Sequence, residues 1–292
     1  MMPITRRAAL ASGLLGLTPH TRSATETPAK APPFELGLVT YNLAAKWDLP
    51  TLLKTCKDTK IAAVEFRTTQ AHGVEPTLSA AERDQVRHKC ADAGVVIWGC
   101  GTICEFHSPE TAVVAKNIED CKQFVQLVAD LKGRGVKVRP NGLPKDIPPE
   151  KTLEQIAQSL RECGRAANDA GVEIWVEVHG PGTQLPANMK KIMELCNHPS
   201  VGITWNSNAA DVVNGSVAES FALLKPWIKS CHINELYKDA NKSYPYRELF
   251  RLLRESHYDR FTLIEVGKTP PNVDSGVELL KYYRALWLEL NR

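Results

Sequence analysis

From residue 34 onward, short apolar runs alternate with longer amphipathic stretches. The runs at 35–42, 61–67, 94–101, 135–140, 172–178, 201–206, 228–234 and 261–267 are rich in Val, Ile and aromatic residues, and they predict β-strands. The stretches at 49–59, 77–94, 108–133, 148–171, 188–198, 216–227, 246–257 and 276–290 repeat apolar residues at helical spacing. Some helix ends carry their own signals: Thr77 or Ser79 is placed to cap the second helix, and Gly94 to stop it. Strict alternation of eight strands with eight helices implies parallel strands joined by helical crossovers. An open doubly wound sheet is the rival arrangement. The first strand is not followed by a GxGxxG turn, which weakens a dinucleotide-binding reading. The repeat length, roughly 30 residues per unit in a (β/α)8 barrel, predicts an α/β fold of that type: a single TIM-barrel domain over residues 34–292.

Four strands of the second half end in polar, metal-competent residues: Glu177, Asn206, His232 and Glu265. The gaps between them are 29, 26 and 33 residues, one repeat each. Side chains at the C-terminal strand ends of such a barrel converge at its mouth, where its chemistry is kept. Strand alternation sharpens this. Ile174, Val176 and Val178 share one face, while Glu173, Trp175, Glu177 and His179 share the other. Likewise Thr262, Ile264 and Val266 oppose Leu263, Glu265 and Gly267. A carboxylate deep in a strand is costly unless paired or bound to a cation. Two such carboxylates and a histidine on a third strand therefore predict a metal site.

The N-terminus reads differently. Arg6 and Arg7 precede a short apolar stretch, Ala8 to Leu17, the pattern of a twin-arginine (Tat) signal over residues 1–24. It is either cut near Ser23-Ala24 or kept as an anchor. Residues 25–33, TETPAKAPP, read as a Pro-rich linker. The formal net charge of +3 equals the three arginines of the leader, Arg6, Arg7 and Arg22, so the remaining chain is neutral. No basic stripe argues for nucleic acid, and no other segment approaches a membrane span. The eight cysteines are scattered without a CxxC pair and read mostly as small buried hydrophobes, although Cys100 and Cys104 are close enough in sequence to raise a disulfide in an exported protein.

The strings VEVH, WNSN, CHINEL and LIEVG, in this order and spacing, resemble the xylose-isomerase-like TIM-barrel family of sugar isomerases and epimerases. VEFR at Glu65 and CEFHS at Glu105 and His107 fit as well, so the resemblance covers the chain from about Phe34 to its end. It implies a divalent metal held by Glu177, His232 and Glu265. Asn206 stands where the family usually has Asp, which lowers the ligand charge and weakens the fourth corner. An amide oxygen still binds a hard cation. The oxygen-rich set favours Mn²⁺ or Mg²⁺, and Zn²⁺ is compatible with it. The resemblance also makes Glu177 and Glu265 the acid/base candidates. His179, Arg139, Glu65, Glu105 and His107 are candidates for contacting substrate or for supporting residues that do. Lys268 reads as a rim charge. Trp98 and Trp175 offer faces for a sugar ring, whereas Trp205 has helix-facing parity.

The function implied is a metal-dependent sugar isomerase or epimerase. It would transfer a proton through an enediolate on a free or oxidised sugar or polyol. A lyase or dehydratase on a keto-sugar or inositol derivative would use the same site, and a sugar-binding barrel that lost its metal through Asn206 is the non-catalytic alternative. An endonuclease-type relative of this fold would need more histidines and a basic groove. The leader implies a periplasmic or other extracytoplasmic location, and a homo-oligomer is compatible with the chain.

Overall fold

Each predicted strand forms and pairs in parallel with the next, and the last closes on the first. The computed structural model describes residues 33–292. The expected twin-arginine leader and all of the linker except Pro33 lie outside the described residues. The strands are β1 (Glu35–Val39), β2 (Ala63–Arg67), β3 (Val96–Glu105), β4 (Gly135–Arg139), β5 (Glu173–Glu177), β6 (Val201–Asn206), β7 (Ile228–Ile233) and β8 (Phe261–Ile264). They close an eight-stranded barrel in sequence order, β8 pairing β1 through Leu36–Thr262 and Leu38–Ile264. The helices are α1 (Leu49–Thr59), α2 (Ala80–Ala93), α3 (Thr111–Asp130), α4 (Pro149–Asp169), α5 (Pro186–Cys196), α6 (Ala218–Leu224), α7 (Tyr246–Glu255) and α8 (Val273–Leu290). No helix among the described residues is long and apolar enough to cross a membrane.

Local chemistry sets several boundaries. Ser79 caps α2 in a reciprocal capping box with Glu82, satisfying two otherwise orphaned backbone donors. Gly94 ends the same helix at φ +68°, a conformation that favours glycine. Several boundaries shift by a few residues from the sequence pattern, and two of these shifts bear on the site. β3 runs on to Glu105, and its register with β4 shifts between Gly101 and Glu105, which re-aims the strand end. β8 stops at Ile264, just before the glutamate expected inside it. The Glu265 amide still bonds to the Ile233 carbonyl at 2.9 Å, so its backbone continues the ladder by one step.

The core has two layers. Outward-facing residues such as Ile174, Val176, Ile203 and Ile264 pack under the helices, together with Trp205, whose ring lies 5.8 Å from that of Phe221. The smaller inner layer plugs the floor of the barrel: Val39, Ala63, Trp98, Trp175 and Leu263, with Phe261 against them. Trp98 and Trp175 stack at 4.8 Å. A Cβ at Gly135 would lie 2.5 Å from the Trp175 ring, so glycine makes room for the plug. The two tryptophans are therefore corrected from sugar platforms to floor. Alternation had placed them inside the barrel, but they sit below the mouth and do not line its cavity. All eight cysteines are free and buried. Cys100 and Cys104 are four residues apart on one extended strand, roughly 13 Å at the usual rise, beyond the span of about 7 Å that a disulfide tolerates.

Candidate functional site

Above the tryptophan floor the barrel interior becomes charged. Glu177 and Asn206 end β5 and β6, His232 lies in β7, and Glu265 follows β8. Glu177, His232 and Glu265 offer ligand atoms that all lie within 4.8 Å of one another. His232 is fully buried, with Nδ1 3.2 Å from Glu265 Oε2 and 3.9 Å from Glu177 Oε1. On the other side of the ring, Nε2 lies 3.2 Å from Glu65 Oε2. A carboxylate accepts, so the Nε2 proton is donated to Glu65, and this orients Nδ1 toward Glu177 and Glu265. The Asn206 amide donates to Glu177 Oε1 at 3.1 Å.

Glu65 does not line the mouth cavity as a substrate-contacting residue would. It is fully buried, and its place behind His232 suits a supporting role. Gly101 makes this position available, since a Cβ there would lie 2.6 Å from Glu65 Oε1.

Lys137, on the inward face of β4, donates to Glu177 Oε2 at 2.7 Å. The pair is almost solvent-free, with side chains 2% and 4% exposed. On this strand Arg139, not Lys137, is the residue expected at the site from sequence. The signal was present, because Lys137 has the same parity and interrupts an apolar run. Burial alone would raise the Glu177 carboxyl, but the charges of Lys137, His232 and His179 outweigh it and hold the group at about 2. Burial opposes charging the His232 ring, yet the Glu265 and Glu65 carboxylates push it up to about 10.

The mouth is a cavity of about 340 Å³. Of the residues expected there, Glu177, Asn206, Glu265, His179 and Arg139 line it, whereas Glu65, Glu105 and His107 do not. Glu105 stands behind the wall, accepting from Arg139 Nη2 and, at 2.6 Å, from Asn141 Nδ2. Asn141 Oδ1 in turn lies 3.0 Å from His179 Nδ1, so one carboxylate sets the orientation of two cavity groups. His107 sits 3.9 Å from Glu105. Lys268 is exposed at the rim, as expected. The cavity also holds Arg67, Tyr41, Asn208, Asn234 and Glu235, none singled out from sequence. Arg67 was legible as the residue two beyond Glu65 on the same strand face.

The donor set fits a hard divalent cation. His232 Nδ1 and Asn206 Oδ1 are both buried and without a hydrogen-bond partner, a cost a cation beside them would remove. Two carboxylates, an imidazole nitrogen and an amide oxygen are ligand types that Mn²⁺ and Mg²⁺ accept and that Zn²⁺ tolerates.

A family model described as xylose isomerase-like TIM barrel matches residues 53–283. No curated protein matches the chain in sequence. Among solved structures, the chain is similar to a D-psicose 3-epimerase crystallised in the presence of D-fructose, with a TM-score of 0.73 at 14% identity over 88% of this chain and 99% of that one. It is similar to 3-keto-D-glucoside 4-epimerase from E. coli, with a TM-score of 0.69 at 12% identity over 88% and 98% of the two chains. It is also similar to the probable 3-DHS dehydratase of petrobactin synthesis from Bacillus anthracis, with a TM-score of 0.66 at 15% identity over 86% and 99%. At these identities the likeness speaks for the fold.

Proposed function

The chain belongs to the xylose isomerase-like TIM barrel family, and from that premise we propose that it is a divalent-metal-dependent isomerase or epimerase acting on a free or oxidised sugar or polyol. The observation that carries this reading is the convergence of Glu177, His232 and Glu265 at the mouth. Glu177, His232 and Glu265 would hold the metal, with Asn206 Oδ1 as a conditional fourth ligand. When bound, the metal polarises a substrate carbonyl and stabilises the charge of the enediolate.

The chain's own groups supply the rest. A general base beside the substrate carbon takes the proton, and an acid returns it to a neighbouring carbon or to the opposite face. Glu265 is the better placed of the two carboxylates for this exchange. Its side chain is 16% exposed to the cavity, whereas Lys137 holds Glu177 in its ionised form and makes it a weak base. Glu177 in this reading mainly holds and orients. Asn141 fixes the His179 ring, whose other nitrogen is left to meet a substrate hydroxyl. A histidine so placed also suits loss of that hydroxyl as water, which is the observation favouring a dehydratase as the second reading. The export leader, in this proposal, favours a substrate without phosphate.

The experiment is incubation of the Mn²⁺-loaded protein in D₂O with a panel of ketoses, keto-acids and inososes, followed by NMR. Isomerase or epimerase chemistry inserts a solvent deuteron at the carbon next to the carbonyl, and Glu265→Gln abolishes this with the fold intact. A product lacking water would favour the dehydratase. Unimpaired exchange in Glu265→Gln would remove Glu265 from the mechanism, and no exchange on any substrate would count against the enzyme reading.

A further inference from the structure

The charged groups around the mouth are almost all answered. Glu177 is paired with Lys137 at 2.7 Å, Glu235 with Lys238 at 2.9 Å, and Glu105 with Arg139. Glu65 and Glu265 flank His232 at 3.2 Å each. Among the cations lining the cavity Arg67 is the exception: among the described residues it has no carboxylate partner. Its contacts are the Thr68 carbonyl at 3.4 Å and the face of Tyr41, 5.6 Å away. It lines the cavity together with Arg139. Arg139 spends Nη2 on Glu105, while its Nε is buried and without a partner.

We infer that Arg67 and Arg139 form an oxyanion subsite in the cavity wall, and that the substrate is a sugar acid whose carboxylate they hold. This rests on the reading of the same cavity as a metal-assisted sugar site. Guanidinium groups present planar, permanently charged donors that match a carboxylate. A half-buried Arg67 beside a second arginine is unfavourable until an anion arrives. Its guanidinium is lowered from its usual range first by burial and then by the positive charge of Arg139, which places the two cations in one field. A neutral sugar would bring no counter-charge to Arg67, which has no carboxylate in ion-pair contact among the described residues. One unpaired cation matches the single charge of a carboxylate better than the charge of a phosphate, about −1.5 to −2. Glu177 and Glu265 line the same cavity, so a ligand seated on the arginines shares that space with the candidate metal ligands.

The test is calorimetric binding of D-gluconate, D-glucitol and D-glucitol 6-phosphate to the full chain, with and without Mn²⁺, for wild type, Arg67→Gln and Arg67→Lys. The subsite predicts that gluconate binds at least about tenfold more tightly than glucitol, a difference of the size charge-assisted hydrogen bonds supply. Arg67→Gln collapses that preference to within about twofold while glucitol binding and Mn²⁺ uptake are kept, and Arg67→Lys retains part of it. The same order holds without metal, because the arginines do not need it. Equal binding of gluconate and glucitol, an equal loss of both in Arg67→Gln, or binding of neither would overturn the inference. Preference for the phosphate would overturn its carboxylate form. Failure of the wild type to take up Mn²⁺ would instead strike the reading of the metal site, and the metal-free arm would still decide the subsite.

Discussion

Replacing Lys137 by Met removes one ammonium from an almost dry ion pair and keeps a side chain of similar length. The partner, Glu177, is 4% exposed and would lose its nearest counter-charge, keeping the Asn206 amide at 3.1 Å and the His232 ring at 3.9 Å. Removing one member of a buried pair costs about 3–5 kcal/mol. The contrast is with pairs such as Lys54–Asp58, 77% and 46% exposed, where such a change costs under about 1 kcal/mol. For a domain of this size the loss corresponds to a fall in Tm on the order of 10 °C. A metal at Glu177 changes the balance, because the cation supplies the positive charge that Lys137 no longer does. Removing a neighbouring positive charge also favours cation binding, so Mn²⁺ affinity should rise, by roughly tenfold for each 1.4 kcal/mol of repulsion relieved. Lys137→Met should therefore be strongly destabilised in EDTA, and it should gain more stability from saturating Mn²⁺ than the wild type does. Urea unfolding of both proteins in EDTA and in Mn²⁺ reads both effects, with calorimetry for the affinity. A metal-free loss below about 1 kcal/mol would refute the buried pair, and an equal Mn²⁺ gain in both proteins would refute the shared use of Glu177.

Three further outcomes follow from neighbouring groups. Asn206→Asp replaces a donor 3.1 Å from Glu177 Oε1 with a second carboxylate. It should destabilise the metal-free protein by about 1–3 kcal/mol and tighten Mn²⁺, and unchanged affinity in a titration would show that the Asn206 oxygen does not face the ion. The His232 ring is raised in the folded state to about 10 from an ordinary 6.5, so its stabilisation is complete below 6.5 and is lost as pH rises through 10. Metal-free stability should fall across that window by up to about 1.4 kcal/mol per pH unit. Mn²⁺ affinity should rise across it as the Nδ1 proton is lost, and a pH-independent affinity in calorimetry would count against ligation by Nδ1. Gly135→Ala puts a Cβ 2.5 Å from the Trp175 ring and 3.0 Å from the Glu173 carbonyl. Overpacking there should cost about 1–3 kcal/mol, and a neutral result in urea unfolding would show that the floor yields.

The architecture was legible because its signals are local. Alternation identified eight strands, Ser79 and Gly94 bounded a helix, and parity separated Glu177 and Glu265 from the outward Val and Ile residues. Parity gives a face but not a height. Trp98 and Trp175 were rightly inward, yet their depth depends on the stagger between strands, which is non-local. The same gap explains Glu65, which shares the mouth-facing parity but lies low enough to be sealed behind His232. Lys137 and Arg67 were missed for a simpler reason. Each shares a strand face with a residue two positions away, Arg139 and Glu65, and parity alone does not say which of the two reaches the cavity or a buried carboxylate. Pairings such as Lys137–Glu177, 40 residues apart, become visible only once the barrel is closed. The shift in β3 register that re-aims its Glu105 end has no signature in the local pattern.

The central claim is that Glu177, His232 and Glu265 hold one divalent cation at the barrel mouth. Its most direct test is equilibrium Mn²⁺ binding, followed by EPR and elemental analysis, on the full chain and on Glu265→Gln and His232→Ala. The account predicts one Mn²⁺ per chain in the wild type, with uptake lost in both variants while their far-UV circular dichroism is unchanged. A wild-type protein that takes up no divalent metal, or variants that keep full stoichiometry and affinity, would contradict it.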